Sequence, residues 1–461
     1  MKFPFPKRGG RRGPGPLALL YDEARLPNDI RRGLNWILAG NTFGTMHGII
    51  CGGGTTALVG LAAALGAGDT VFGLMVIIPQ IAAILQLPFS MLVNHTRKRK
   101  FYLLTYGLLS RMVWLFMGFL PLVSRGPGDQ APIWLMAILL ALSSAGNSLI
   151  TVVWFPWFSD MAPIRIRGRW LSLRDTILSV ASLLFGFAVA YLLDVLPQSS
   201  KYIVVFLVGG LFGCLDMLSF SFSPEVWASE PKKINLVGTV REVLENKRFM
   251  KMVIMWTAWC FTANMSGAYL TPYAMNVMGL SFMQITIFGT VAASLATVLA
   301  VPRWGAALDQ FGARNVMLVG CIGASLTPLF YLLSTPGNIW PTFLHNAVGA
   351  LFWSAANLAC NGMQLAYSPD DTRPTYIAVY TCIAAIIGTA LGTASGSWML
   401  EVCRTRGWFE GYFDRYKMLV LVSVVLRFGF TILLVPRMDD DGKGTVKDML
   451  RSFRPKRRMI I

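Results

Sequence analysis

The sequence predicts an all-α polytopic membrane protein, with twelve transmembrane helices in two pseudo-symmetric six-helix bundles. Three observations carry that prediction. Of 461 residues, 54% are hydrophobic and only 14% charged, with a mean hydropathy of +0.55, whereas a soluble chain is about one-quarter charged. Apolar stretches of about 20 residues, the length that crosses a hydrocarbon core as a helix, follow one another with short polar breaks. Finally, the two halves resemble each other. "LGAGDTVFGLMVIIPQIAAILQLPFSMLVNHTRKRK" from 65 aligns with "MGLSFMQITIFGTVAASLATVLAVPRWGAALDQFGAR" from 278, which brings Pro88 onto Pro302. "NSLITVVWFPWFSD" from 147 aligns with "NLACNGMQLAYSPD" from 357, pairing Asn147 with Asn357 and Asp160 with Asp370.

In chain order, residues 1–33 open with "MKFPFPKRGGRRGPGP", which is basic but has no following apolar core or small-residue cleavage site. They are expected to form an uncleaved tail. Apolar runs then predict spans near 34–60, 70–92, 101–123, 132–157, 171–196 and 201–223, which make the first bundle (34–223). The polar segment 224–248 links it to a second bundle (249–436), with spans near 249–277, 282–304, 315–334, 340–367, 375–401 and 418–436. Breaks such as "SRGPGDQAP", "LPQSSK" and "STPGN" carry loop chemistry. Residues 437–461 form a charged tail expected to lie on the membrane surface.

The net charge of +18 is distributed by side. The tails and the loops on their side hold 33 of the 41 Lys and Arg residues, and the opposite side holds six. Arg111 and Arg427 fall within spans. This asymmetry places both termini in the cytoplasm and assigns the excess charge to topology and lipid headgroups, not to nucleic acid. Six of the seven cysteines lie in apolar stretches and no C-x-x-C pair occurs, so they read as packing residues. No metal site or cofactor is expected. Three scattered histidines and the absence of H-E-x-x-H, or of G-x-S-x-G with a partner, argue against an enzyme.

"WGAALDQFGAR" (304–314) interrupts the apolar pattern after the eighth span. With Gly305, Asp309, Gly312 and Arg314 at the expected spacing, it resembles the cytoplasmic loop signature of the major facilitator superfamily. "SDMAPIRIRGRWLSLRDTI" (159–177) resembles a bacterial subgroup of suspected sugar transporters. The resemblance implies a monomeric secondary active or facilitative transporter working by alternating access. It also implies a bacterial inner membrane and a small-molecule solute, with H+ or Na+ as a coupling ion. Asp309 is placed to meet a helix dipole, that of the eleventh span, at roughly 0.3–1 kcal/mol. Together with Gly305, Gly312 and Arg314 it is expected to form a conformational latch. The first-half copy, "FSMLVNHTRKRKF", has His95 in place of Asp309 and no turn glycine, so the latch does not carry over.

The resemblance further implies that the first, fourth, seventh and tenth helices line a central cavity. The middles of those spans carry His47, Asn147, Asn264 and Asn357, polar groups that are costly at bilayer depth unless paired or wetted. Trp353 and Trp154 share helical faces with Asn357 and Asn147, Trp256 precedes Asn264, and Asn361, Gln364 and Gln80 add amides. Amides and flat aromatic faces suit a neutral, hydroxyl-rich solute, with a sugar expected. The cavity-lining spans contain no Asp or Glu in this reading, which argues against charged substrates and against sodium coupling through the second helix. Arg111 and Asp216, at depths of roughly 15 and 11 Å, are placed to form an intramembrane ion pair. His47 is the other candidate proton carrier. The fifth span lacks a Gly-Pro signature resembling that of proton-coupled drug exporters. Export of drugs or lipids and a non-transporting sensor stand as alternatives.

Overall fold

The computed structural model describes residues 17, 21–22, 25–126, 128–198, 200–225, 236–369, 372–411, 413–439 and 444–452. Among the described residues, twelve long helical segments follow one another. They are α1 (28–64), α2 (69–96), α3 (99–117), α4 (Gln130–Met161), α5 (Ile164–Val195), α6 (Lys201–Phe222), α7 (Lys247–Asn276), α8 (Phe282–Phe311), α9 (Ala313–Leu333), α10 (Trp340–Tyr367), α11 (373–405) and α12 (Arg415–Arg437). Seven described helices are individually long and apolar enough to cross a membrane. Among the described residues the one extended pairing is the isolated bridge Thr335–Asn338.

The duplication legible in the sequence is repeated in the packing. In the first half α1 packs on α6, α2 on α4, α3 on α4 and α3 on α6. In the second, α7 packs on α12, α8 on α10, α9 on α10 and α9 on α12. Each pair recurs six helices later. Burial then shows how the halves sit. One apolar cluster, with Trp157, Phe158 and Trp170 at its centre, belongs to the first half alone. Another, with Trp256, Trp259 and Tyr376, belongs to the second half alone. The third draws on both halves, with Leu58, Phe72 and Phe206 beside Tyr269, Phe282 and Leu419. It lies towards the face opposite the termini. The halves therefore share a core on that face and keep separate cores towards the terminal face.

Four expectations need correction. The first span is interrupted at residues 51–55, "CGGGT", before Thr56–Ala64 resumes. The fifth helix begins at Ile164, not near 171, so its basic opening stretch is already helical. The eighth helix runs through Pro302 to Phe311 instead of ending near 304. The carboxyl tail also does not simply lie on the surface. Its helix Val446–Ser452 buries Met449 against α8 and α9, and Asn315 Nδ2 donates to the Gly444 carbonyl at 3.1 Å. Asp439 pairs with Lys251 at 3.1 Å and with Arg248 at 3.3 Å. Most of the amino-terminal tail, linker residues 226–235, Asp370 and residues 453–461 lie outside the described residues.

Candidate functional site

The face opposite the termini is shut by polar contacts between the halves. The Asp69 carboxylate, at the start of α2, accepts from the Tyr416 hydroxyl at 2.5 Å and lies 3.3 Å from the Arg415 guanidinium, both on α12. Asp194, near the end of α5, accepts the backbone N–H groups of Phe282 (3.0 Å) and Met283 (2.8 Å) at the start of α8.

Behind this closed face, α1, α5 and α8 enclose a chamber of about 230 Å³. Thr55, Thr56, Ser182, Thr286 and Thr290 line it with hydroxyls, and Gly48 and Gly186 keep its walls thin. Thr55 bonds back to the Ile50 carbonyl at 2.8 Å. The hydroxyls of Thr56, Ser182, Thr286 and Thr290 have no protein partner among the described residues and face the chamber as free donors and acceptors.

One turn nearer the terminal face, a fissure of about 430 Å³ runs between α1, α4 and α5 and reaches α3 and α6 behind them. At its base Arg111 Nη2 meets Asp216 Oδ2 at 3.3 Å, with side chains 10% and 6% exposed. A Cβ at Gly44 would come within 2.7 Å of that carboxylate, so a side chain here would displace Asp216 from its pairing with Arg111. On the fissure wall the Arg174 guanidinium stacks over the Trp154 ring at 4.7 Å. The expectation of an uncharged cavity is thus corrected: two guanidiniums and one carboxylate line the fissure. Arg174 was counted with the loop charges. Because α5 begins at Ile164, the residue sits in the third turn of the helix and faces inward.

Of the residues expected at a solute site, Trp154 lines the fissure. His47 is buried between helices: its Nδ1 bonds the Gly209 carbonyl at 2.8 Å and its ring meets the edge of Trp114. Trp256 and Trp353 gather about Trp259, at 5.4 and 4.6 Å between ring centroids. Asn264 Nδ2 donates to the Cys260 carbonyl at 2.9 Å and reaches the Thr389 hydroxyl of α11 at 3.5 Å. Asn357, exposed on α10, donates to the Trp353 carbonyl at 2.9 Å, while buried Gln364 reaches Cys360 Sγ at 3.4 Å. Asn147 and Asn361 are exposed on α4 and α10, and Gln80 is half-buried on α2. The structure therefore does not gather these amides into one cluster. Trp259, Asn41 and the hydroxyl set were missed in the sequence.

The expected latch residues stand at the terminal end of α8. Gly312 makes the turn into α9 at φ +81°. Arg314 Nη1 donates to the Met438 carbonyl at 3.4 Å. Gly305 has open space beside it. Asp309 is exposed, with no ion pair or hydrogen bond among the described residues. Its expected partner needs correction as well. The helix that α8 packs on across the halves is α5, whereas α11 packs on α2. In the first-half copy of this turn Arg97 takes φ +52°. Next to it, Arg99 is not merely an orienting charge, since it pairs with Asp160 at 2.7 Å in a buried contact.

The sequence profile of the Major Facilitator Superfamily matches residues 38–393. No curated protein matches the sequence. Among solved structures, the nucleoside transporter NupG superposes with a TM-score of 0.70 at 10% identity, covering 88% of this chain and 100% of its own. A bacterial homologue of the human lysosomal transporter Spinster, inward-facing and occupied, gives 0.65 at 15% identity, covering 88% and 96%. The xylose transporter XylE from E. coli gives 0.59 at 12% identity, covering 91% and 100%. At these identities the superpositions establish the shared fold. The repeated helix packing, the shared core on one face and the sequence profile converge: this chain belongs to the major facilitator superfamily.

Proposed function

We propose that this chain carries a small hydroxyl-rich solute of the sugar class across the membrane by alternating access. The observation that carries this reading is the chamber between α1, α5 and α8, to which both halves contribute unengaged hydroxyls. A polyol satisfies such a surface with paired donors and acceptors, and its hydroxylated body fits a site of about 230 Å³. The xylose transporter XylE and the nucleoside transporter NupG share the fold. The Lys and Arg asymmetry supports a cytoplasmic terminal face, in this reading that of a bacterial inner membrane, and the halves are then parted on the cytoplasmic side. The chain works as a monomer among lipids. Asp216, the one carboxylate among the described residues that line the two cavities, is the candidate group for coupling to H+ or Na+.

The test is thermal-shift screening of the purified protein against sugars, nucleosides, amino acids and cationic drugs, followed by flux in proteoliposomes. A bound ligand raises the melting temperature by mass action. A sugar response that Ser182→Ala or Thr286→Val abolishes, together with flux, supports the reading. Response to lipophilic cations or lysolipids alone replaces it with an exporter of drugs or lipids. Sugar binding without flux replaces it with a sensor.

A further inference from the structure

The fissure is lined by donors with nothing to donate to. Arg111 Nε, Arg174 Nε and Asn41 Nδ2 are all buried and without a hydrogen-bond partner. Arg174 Nε lies 3.3 Å from Asp175 Oδ1, but outside hydrogen-bond geometry, and that carboxylate is mostly exposed. Arg111 turns one Nη to Asp216 and keeps its Nε free. The strongest acceptor and the hydroxyl protons of the fissure are engaged within the protein. Asp216 is held by Arg111, and the hydroxyls of Thr45 and Thr151 bond back to the carbonyls of Asn41 and Asn147, both at 2.9 Å. Each buried N–H left unpaired costs about 1–3 kcal/mol. Three such donors around one cavity match a group rich in acceptor oxygens, and guanidinium forks match carboxylate and phosphate best.

The fissure and the hydroxyl chamber are lined by neighbouring turns of α1 and α5. Thr45 and Gly48, three residues apart on α1, line one and the other, a rise of about 4.5 Å. Leu178 and Ser182 on α5 repeat the relation at about 6 Å. We propose that the solute is acidic: a polyol bearing a carboxylate or phosphate ester, its hydroxylated body in the chamber and its acid group between Arg111 and Arg174. The assignment rests on the reading of the chain as a carrier of hydroxylated solutes and names the class within it. Asp216 keeps Arg111 compensated when the site is empty, and Arg174, whose ion-pair partner Asp175 is mostly exposed, is the guanidinium that receives the acid.

The experiment compares matched pairs by thermal shift and titration on the full-length protein: glucose with glucuronate, and glucose with glucose 6-phosphate. Inorganic phosphate alone, and nanodiscs of phosphatidylglycerol against phosphatidylcholine, form further arms. The expected result is at least tenfold tighter binding of the acid than of its neutral partner. Arg174→Gln should remove that preference, weakening the acid at least tenfold more than the neutral sugar. Arg174→Lys should restore part of it, with an unchanged melting temperature without ligand showing that the fold is kept. Equal binding of acid and neutral sugar, or a preference that survives Arg174→Gln, overturns the acidic class while leaving the sugar reading intact. No response to either member overturns both. A response to phosphatidylglycerol but to no soluble acid assigns the fissure to a lipid headgroup and overturns the solute assignment.

Discussion

Gly305 and Gly312 stand seven residues apart in one short motif, yet opposite outcomes are expected when each becomes alanine. Gly312 holds φ +81° and ψ 163°, a backbone region that side chains strain to enter. Gly312→Ala should therefore cost about 1–3 kcal/mol and lower the melting temperature. Gly305 lies inside α8, and no atom stands within 4 Å of an added Cβ. Gly305→Ala should be neutral or raise stability by about 0.5–1 kcal/mol through helix propensity. If alanine at 305 proves as damaging as at 312, the space beside Gly305 must close in another state of the protein. The same scale explains why the site was harder to read than the spans. The depth of Asn147, Asn264 and Asn357 follows from counting along each helix, but the face each presents depends on neighbours the count does not contain. Hydroxyls were overlooked because a Ser or Thr in a helix so often satisfies itself on the carbonyl four residues back, as Thr42 does with Leu38 at 2.9 Å. Those of Ser182, Thr286 and Thr290 do not, and that is visible only in three dimensions.

Among the elements, the start of α8 is the most fully determined. A helix exposes its first amides without intrahelical partners. Here Asp194 of α5 takes those of Phe282 and Met283, and the Ser281 hydroxyl takes that of Gln284 at 3.2 Å, with Gln284 Oε1 accepting from the Ser281 amide at 2.9 Å. Half of this cap comes from the other half of the molecule, so the capping energy belongs to the closed state of that face. Asp194→Ala should destabilise closure by about 1 kcal/mol, an approximately fivefold change in the ratio of states. Thiol labelling at the chamber from the face opposite the termini measures it. An unchanged labelling rate would show that the cap is indifferent to state. The ends of most helices were legible because apolar runs and loop residues alternate clearly. The exceptions have physical causes. Pro302 does not stop α8, which runs on to Phe311 and stays tied to α10 beyond it, Trp304 Nε1 donating to the Leu351 carbonyl at 2.9 Å. The early start of α5 is hidden by its arginines, which read as loop charges until Arg174 is seen three turns into a helix.

For the whole molecule, the two faces are two ends of one equilibrium. On the face opposite the termini, Asp69 and Asp194 tie the first half to α12 and α8, and the shared apolar core lies beneath them. On the terminal face, Asp309 stands exposed and unengaged at the end of α8. Because α8 pairs with α5 across the halves, rocking the halves to close the terminal face would carry Asp309 towards the amino end of α5. There it would meet the positive end of a helix dipole, worth roughly 0.3–1 kcal/mol and up to about 2 kcal/mol where partly buried. Two substitutions should then move the same equilibrium in opposite directions. Asp69→Asn weakens the contact with Arg415 and Tyr416 and should raise the population open opposite the termini. Asp309→Asn removes a contact found only in that population and should lower it. The double variant should return near the starting ratio, since the two sites lie at opposite ends of the molecule and share no partner. Distance distributions between spin labels, one pair across each face, read all three populations. If Asp309→Asn leaves them unmoved while Asp69→Asn shifts them, the exposed carboxylate is a loop residue and the terminal face closes by other contacts. If both shift the ratio the same way, the pairing of α5 with α8 is not conserved through the cycle, and a single rocking motion about the shared core does not describe it.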